Sequence, residues 1–417
     1  MENQYKPPQK KPQIVKTFQE SVNEFKIFEF NSSRIRSLLS KTEFRKFCRF
    51  TVPANQKITN CPILVFFEHL GEQKEIFLDF FNNIKNVYPT SDIYVVIDDT
   101  YEGLLTDTDI NFLVKNIEVR DWIVLTSNYK INHPKVLHLN IHLHDLYFDH
   151  INIRSVNFSP NTNLRKKKFI CLNRQERLHR VLIVDYLLEE QLINDTFLSC
   201  QDIELKYVLL DKNPVKEKID HHLTLDDYFE FRRYGGLKEL REYDFSEKQK
   251  KRLLDNLPFF LEGESYANID PKDLAPVDNF FNEAYWALVT ERDFFRSNLY
   301  QGFTEKTVKC LLYGVPFIII GLPFTLQKLR ELGFVTFSDF IDESYDTEED
   351  DNKRLEKIKK QISYLANLNY NEIHLMREKM MPILQYNFEH FKRIHYSLPN
   401  AEFLSLIQIW LQQSRQE

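Results

Sequence analysis

Apolar positions along the chain fall into short dense runs that alternate with stretches of helical spacing. The runs at 63–67, 93–97, 122–126 and 136–143 are rich in β-branched and aromatic residues and predict strands. Between the first two, Ile76, Phe77, Phe80, Phe81 and Ile84 recur on one helical face, which predicts a helix over 74–87. The alternation resumes beyond a polar, basic stretch at 161–168. There 169–172, 207–210, 287–290 and the unbroken apolar run 315–320 read as strands, with a helix over about 176–191. From 352 onward the period is helical. Ile358, Ile362, Leu365 and Leu368 form one stripe, and Phe403, Leu406 and Ile407 begin another.

Strands alternating with helices predict parallel sheets. The expected organisation is a disordered tail (1–15), a first α/β domain (16–160), a linker (161–168), a second α/β domain (169–350) and C-terminal helices (351–417). Two such domains would face a cleft, each presenting the carboxyl ends of its strands, where open parallel sheets bind ligands. The stretch 213–285 is weaker in pattern and reads as an excursion, and 334–337 reads as a short strand before an acidic loop at 342–346.

Composition narrows the picture. At 417 residues the chain can bury two cores, and 43% hydrophobic with 28% charged residues is a soluble balance. A net charge of −6 argues against a large basic surface wrapped by nucleic acid. The polar, Lys- and Pro-rich start lacks the apolar core of a secretory signal. The longest apolar run, 315–324, falls well short of the roughly twenty residues a membrane span needs. Five scattered cysteines without a CxxC pair predict reduced thiols, so a cytoplasmic location is expected.

Neither GxGxxG nor GxxxxGK[ST] occurs, so a phosphate must be held by other means. Two turns qualify. In the first, Asn173, Arg174, Arg177 and Arg180 follow a strand and open a helix. Cations oppose the dipole at a helix N-terminus, so such a cluster points to an anion nearby, although a solvated basic turn would look the same. The second is Thr304-Glu305-Lys306. Thr304 suits the cap and Glu305 the first turn, which is a sufficient structural explanation. The functional alternative sends Lys306 to a phosphate and Glu305 to a ribose diol, with Glu291 pointing to the same place.

The run TEKTVKCLLYGVPFIIIG, followed by LGF, TF and IDESYD, resembles the donor-binding domain of GT-B glycosyltransferases. It is most similar to the alpha-1,3-fucosyltransferase family and related uncharacterised phage and bacterial enzymes. The resemblance covers about 170–350 and implies two Rossmann-like domains around a cleft. It implies Glu305 on the nucleotide ribose, Lys306 on the diphosphate, and Arg174 as the upstream phosphate-binding arginine, with Arg177 or Arg180 as second choices. Gly302 stands where the family has tyrosine, and Thr290-Glu291-Arg292 replaces its Glu-Asn-Ser, so the donor need not be GDP-fucose. The implied substrate is a GDP- or UDP-sugar, no cofactor or metal is required, and the acceptor is a glycan, a protein or a modified nucleobase.

Transfer to an acceptor hydroxyl requires a base. Strand ends of the first domain offer Glu68 with His69, and Asp98 and Asp99 with Glu102 close behind. Asp98 and Asp99 equally suit a metal-dependent GT-A transferase, in which paired aspartates hold a divalent ion, whereas Asp107 and Asp109 follow a polar turn. A non-catalytic nucleotide-sugar-binding or scaffold protein is the remaining alternative. His138, His142 and His144 alternate with apolar residues and share one strand face, which predicts a polar face towards the cleft; the alternative, a metal site, lacks a nearby Cys or Glu to complete it.

Overall fold

The computed structural model describes residues 26–30, 62–68, 74–88, 91–99, 105–126, 128, 131–138, 158, 163–173, 176–200, 205, 209, 239–240, 242–261, 278–295, 303–396 and 399–414. The chain divides into two compact units. One comprises Met1–Ile151 and Lys392–Glu417, with Asn298–Gly302 grouped with them; the other comprises Asn152–Ser297 and Phe303–Phe391.

The first unit holds a five-stranded sheet of β1 (Lys26–Phe30), β2 (Ile63–Glu68), β3 (Ile93–Asp99), β4 (Asp121–Thr126) and β5 (Val136–His138). All pairings are parallel and the strands lie in sequence order. Two helices, α1 (Lys74–Val87) and α2 (Asp107–Asn116), connect β2 to β3 and β3 to β4. Val65, Phe67, Val95, Ile97 and Val124 form a core with Phe77, Phe81 and Ile84 of α1 and Leu113 of α2. Their alternates Leu64, Phe66, Val96, Ile123 and Leu125 are buried as well, so these strands read as continuous apolar runs. β5 ends at His138, which is exposed; His142 and His144 lie outside the described residues.

In the second unit the four-stranded parallel sheet runs β7-β6-β8-β9. Its elements in chain order are β6 (Lys167–Asn173), α3 (Leu178–Glu189), β7 (Thr196–Cys200), α4 (Glu247–Asn256), α5 (Asp278–Glu283), β8 (Ala284–Thr290), α6 (Glu305–Tyr313), β9 (Phe317–Ile320) and α7 (Thr325–Glu331). Helices α8 (Asp351–Asn367), α9 (Tyr370–Tyr396) and α10 (Pro399–Ser414) follow, and α10 belongs to the first unit. Every residue of α3 from Leu178 to Leu187 is buried, so the helix shows no narrow stripe. Gly314 closes α6 at φ +59°, a left-handed conformation that favours glycine.

Three expectations are corrected. Leu209, inside the expected strand 207–210, is helical. The expected linker ends early, because Lys167 begins β6 and Arg165 and Lys168 are buried in the second unit. Residues 334–337 form no strand. Val335 instead exchanges hydrogen bonds with the Asn387 side-chain amide, and the Phe337 N–H donates to Glu343 Oε1 at 2.7 Å. In the acidic loop, Asp346 caps the preceding helix, accepting from Leu326 N and Gln327 N of α7, while Asp350 caps α8.

Candidate functional site

Strand order reverses in the second sheet between β6 and β8, the place where open parallel sheets form a ligand crevice at their carboxyl ends. Among the described strands of the first sheet there is no such reversal. The carboxyl ends of β6 and β8 are tied together there. Thr290 Oγ1 donates to Asn173 Oδ1 at 2.5 Å, and Asn173 Nδ2 lies 3.3 Å from Cys171 Sγ.

Helix α3 starts directly after β6, and its first turn grips the chain leaving β8. His179 Nε2 lies 2.9 Å from the Glu291 carbonyl oxygen, so this nitrogen carries the proton and donates. Arg180 donates to the same oxygen at 3.2 Å, while Arg177 donates to the Arg292 carbonyl and meets Asp293 Oδ1 at 3.2 Å. Burial, then the neighbouring Arg177, lowers the Arg180 guanidinium to about 10, so it stays charged at neutral pH. Burial and the flanking Arg180 hold His179 well below its ordinary range and neutral. Its Nδ1 is buried without a hydrogen-bond partner.

Expected to contact a ligand, Glu291 instead anchors α6. Its Oε1 accepts from Thr304 N at 3.0 Å and Thr307 Oγ1 at 2.6 Å, and its Oε2 accepts from Thr304 Oγ1 at 2.6 Å. A buried carboxylate at this helix N-terminus offsets the dipole and orients the cap. Gly321 at the end of β9 permits this packing, because an added Cβ would stand 3.3 Å from Glu291 Cβ. Thr304 is the N-cap of α6, its hydroxyl 3.4 Å from the Lys306 N–H. The partly exposed Lys306 ammonium folds over the same turn, 3.2 Å from Glu305 Oε1 and 3.4 Å from Thr304 Oγ1. Lys306 and Glu305 lie within electrostatic reach of His179 and Arg180 respectively, so the two turns share one neighbourhood.

Residues without a sequence signal complete this neighbourhood. Phe294 stacks on the His179 ring at 5.7 Å. Arg354 of α8 lays its guanidinium over Phe294 at 4.3 Å and donates to the carbonyls of Phe294 (2.6 Å) and Gly321 (3.1 Å). It therefore ties the loops after β8 and β9 together. His179 lies inside the basic run 173–180, where the arginines carry the sequence signal and a single histidine adds none. Arg354 is sixty positions from Phe294, and no local pattern connects them.

The remaining expected residues lie elsewhere. Arg174 and Glu102, with His69 and Gly302, fall outside the described residues, as does the Glu68 side chain. Glu68 and Asp98 pair in register at the ends of β2 and β3 in the first unit. Asp98 and Asp99 are both buried there. Asp99 Oδ2 accepts from Leu105 N at 3.0 Å and Thr126 Oγ1 at 2.8 Å, holding the turn into α2. Among the described residues no three His, Cys, Asp or Glu side chains group in a way that would hold a metal ion. Nor is any described helix long and apolar enough to cross a membrane.

The chain matches no protein-family model, and no curated protein matches it.

Proposed function

We propose that the chain is a glycosyltransferase of the two-domain GT-B type, which binds a nucleotide-diphosphate sugar over the carboxyl ends of β6 and β8. The observation that carries this is the convergence of two helix N-termini and the cations Arg177, Arg180 and Lys306 on one strand-order reversal. Lys306, partly exposed, is the group proposed to reach a phosphate oxygen, with Glu305 accepting from a ribose diol. The buried arginines keep the field positive and stabilise charge developing on the leaving diphosphate, in place of a metal.

Calorimetric titration with UDP, GDP and their sugars tests the assignment. One diphosphate is expected to bind, and Lys306→Ala to weaken it about 10- to 100-fold. If no nucleoside diphosphate binds, or the variant binds unchanged, the site is wrong. Donor hydrolysis abolished by EDTA would overturn metal independence. Binding without any turnover would favour a non-catalytic nucleotide-sugar-binding protein.

A further inference from the structure

Glu291 follows β8 directly and is buried, and its main chain and side chain hold different elements. Its N–H donates to the Ile320 carbonyl at the end of β9, at 2.9 Å. Its carbonyl accepts from His179 and Arg180 in the first turn of α3. Its carboxylate accepts from Thr304 and Thr307 at the start of α6. Glu291 therefore joins the turn that carries Arg177 and Arg180 to the turn that carries Lys306.

A buried negative charge is an unexpected choice beside a site for an anion. On charge alone Glu291 repels a diphosphate, and an amide of the same shape would serve better. Hydrogen-bond polarity supplies the reason for a carboxylate. A carboxylate only accepts, so the Thr304 hydroxyl must point its proton at Oε2, 2.6 Å away. The lone pairs of that hydroxyl are then left for the Lys306 N–H and the Lys306 ammonium, each 3.4 Å distant. Glutamine would undo this. The Thr304 N–H needs an oxygen at the Oε1 position, so the amide nitrogen would fall at Oε2. There it would donate to the Thr304 hydroxyl and take up the lone pairs that cap Lys306.

We propose that Glu291 is a positioning residue of the diphosphate site. Through the Thr304 hydroxyl it holds the first turn of α6 and Lys306 in place, so its charge strengthens anion binding despite having the sign of the ligand. This rests on the nucleotide-diphosphate reading above and deepens it. Charge and positioning predict opposite outcomes for one substitution.

Calorimetric titration of the full-length protein with UDP and with GDP, well below Tm, reads that sign. Glu291→Gln is expected to weaken the diphosphate about 10-fold, where charge alone predicts tighter binding. Glu291→Asp keeps the charge, shortens the reach and is expected to weaken it too; this variant decides if Glu291→Gln does not fold. Thr307→Val removes a donor to Oε1 but leaves the Thr304 hydroxyl in place, so a lower Tm with affinity within about 3-fold of wild type is expected. Equal or tighter binding in Glu291→Gln, or unchanged binding in Glu291→Asp, would overturn the proposal. Equal losses in Glu291→Gln and Thr307→Val would overturn it as well, by tracing the effect to a general loosening of α6. Hydrogen exchange of the ligand-free proteins separates this role from the functional reading. In Glu291→Gln the Lys306 and Val308 amides are expected to exchange faster while β6 and β8 stay protected. If wild type binds neither nucleotide, the glycosyltransferase reading falls, and unchanged exchange at those amides would then remove the positioning role too.

Discussion

His179 is held between an acceptor and an aromatic face, with the Glu291 carbonyl on one nitrogen and Phe294 against the ring. Its folded-state value lies well below the ordinary 6.5, so the unfolded chain binds the extra proton first. Its contribution to stability is complete above about 6.5 and falls by about 1.4 kcal/mol per pH unit below it, until the folded-state value is reached. Glu343 and Asp346 act with the opposite sign. Burial raises both, so their contribution is present in acid and lost as pH rises through their folded values. Urea unfolding of wild type and His179→Gln at pH 7.5, 6.5 and 5.5 separates the two, because the carboxylates cancel in the difference. Gln retains an N–H for the Glu291 carbonyl but does not titrate, so its stability is expected to fall less steeply in acid; equal slopes would refute a neutral buried His179. At this scale the sequence identifies residues better than it identifies their duties. Arg177, Arg180 and Thr304 lie at the turns their pattern implies. Glu291 and Asp99, chosen for acidity at a strand end, serve as structural acceptors, because only the fold shows which donors surround a carboxylate.

Elements show the same division. The helix expected at 74–87 is α1 without a shift in its ends, and the expected strands at 63–67, 93–97 and 122–126 differ from β2, β3 and β4 by two residues at most. Dense apolar runs mark these strands because both faces are covered. β7 escapes notice because only Thr196, Leu198 and Cys200 of its five residues are buried, and its neighbours in sequence are polar. α4 is nearly all charged or polar, with Leu253 its one buried residue, so hydrophobic period alone does not mark it. What fixes α4 is an ion pair across to α3: Arg252 Nε to Asp185 Oδ1 at 2.7 Å and Nη2 to Asp185 Oδ2 at 2.8 Å, with Glu189 beside them. Forked geometry and a side chain only 14% exposed set it apart from an ordinary surface pair. Arg252→Ala is expected to cost about 2–3 kcal/mol in chemical unfolding, much of it from the buried Asp185 charge left behind. A cost under about 0.5 kcal/mol would class the bridge with solvent-exposed pairs.

Across the whole molecule, chain order and unit membership part company at the C-terminus. Helical period marks the end of the chain but not the sheet it covers. α10 returns to the first unit, where Trp410 meets the Tyr94 ring edge-on at 6.1 Å and its Nε1 donates to Asp121 Oδ2 at 2.8 Å. Ser414 donates to the same oxygen, and Lys135 pairs with the other, so the start of β4 is joined to the last helix and to the chain entering β5. Tyr94 belongs to the face of the first sheet opposite α1 and α2, and α10 helps keep that face dry. Removing the indole deletes both an apolar anchor and a hydrogen-bond donor to the Asp121 carboxylate, which, against the effect of burial, is held below its ordinary range by Lys135, Ser414 and the Trp122 N–H. Trp410→Ala is therefore expected to cost about 3–5 kcal/mol, the usual range for emptying a buried aromatic site. The loss should be local to one unit. Hydrogen exchange would show β3, β4 and α10 losing protection while β6, β8 and β9 keep theirs. If instead the second sheet loses protection first, or both lose it equally, α10 is not the first unit's own helix and the division of the chain must be redrawn.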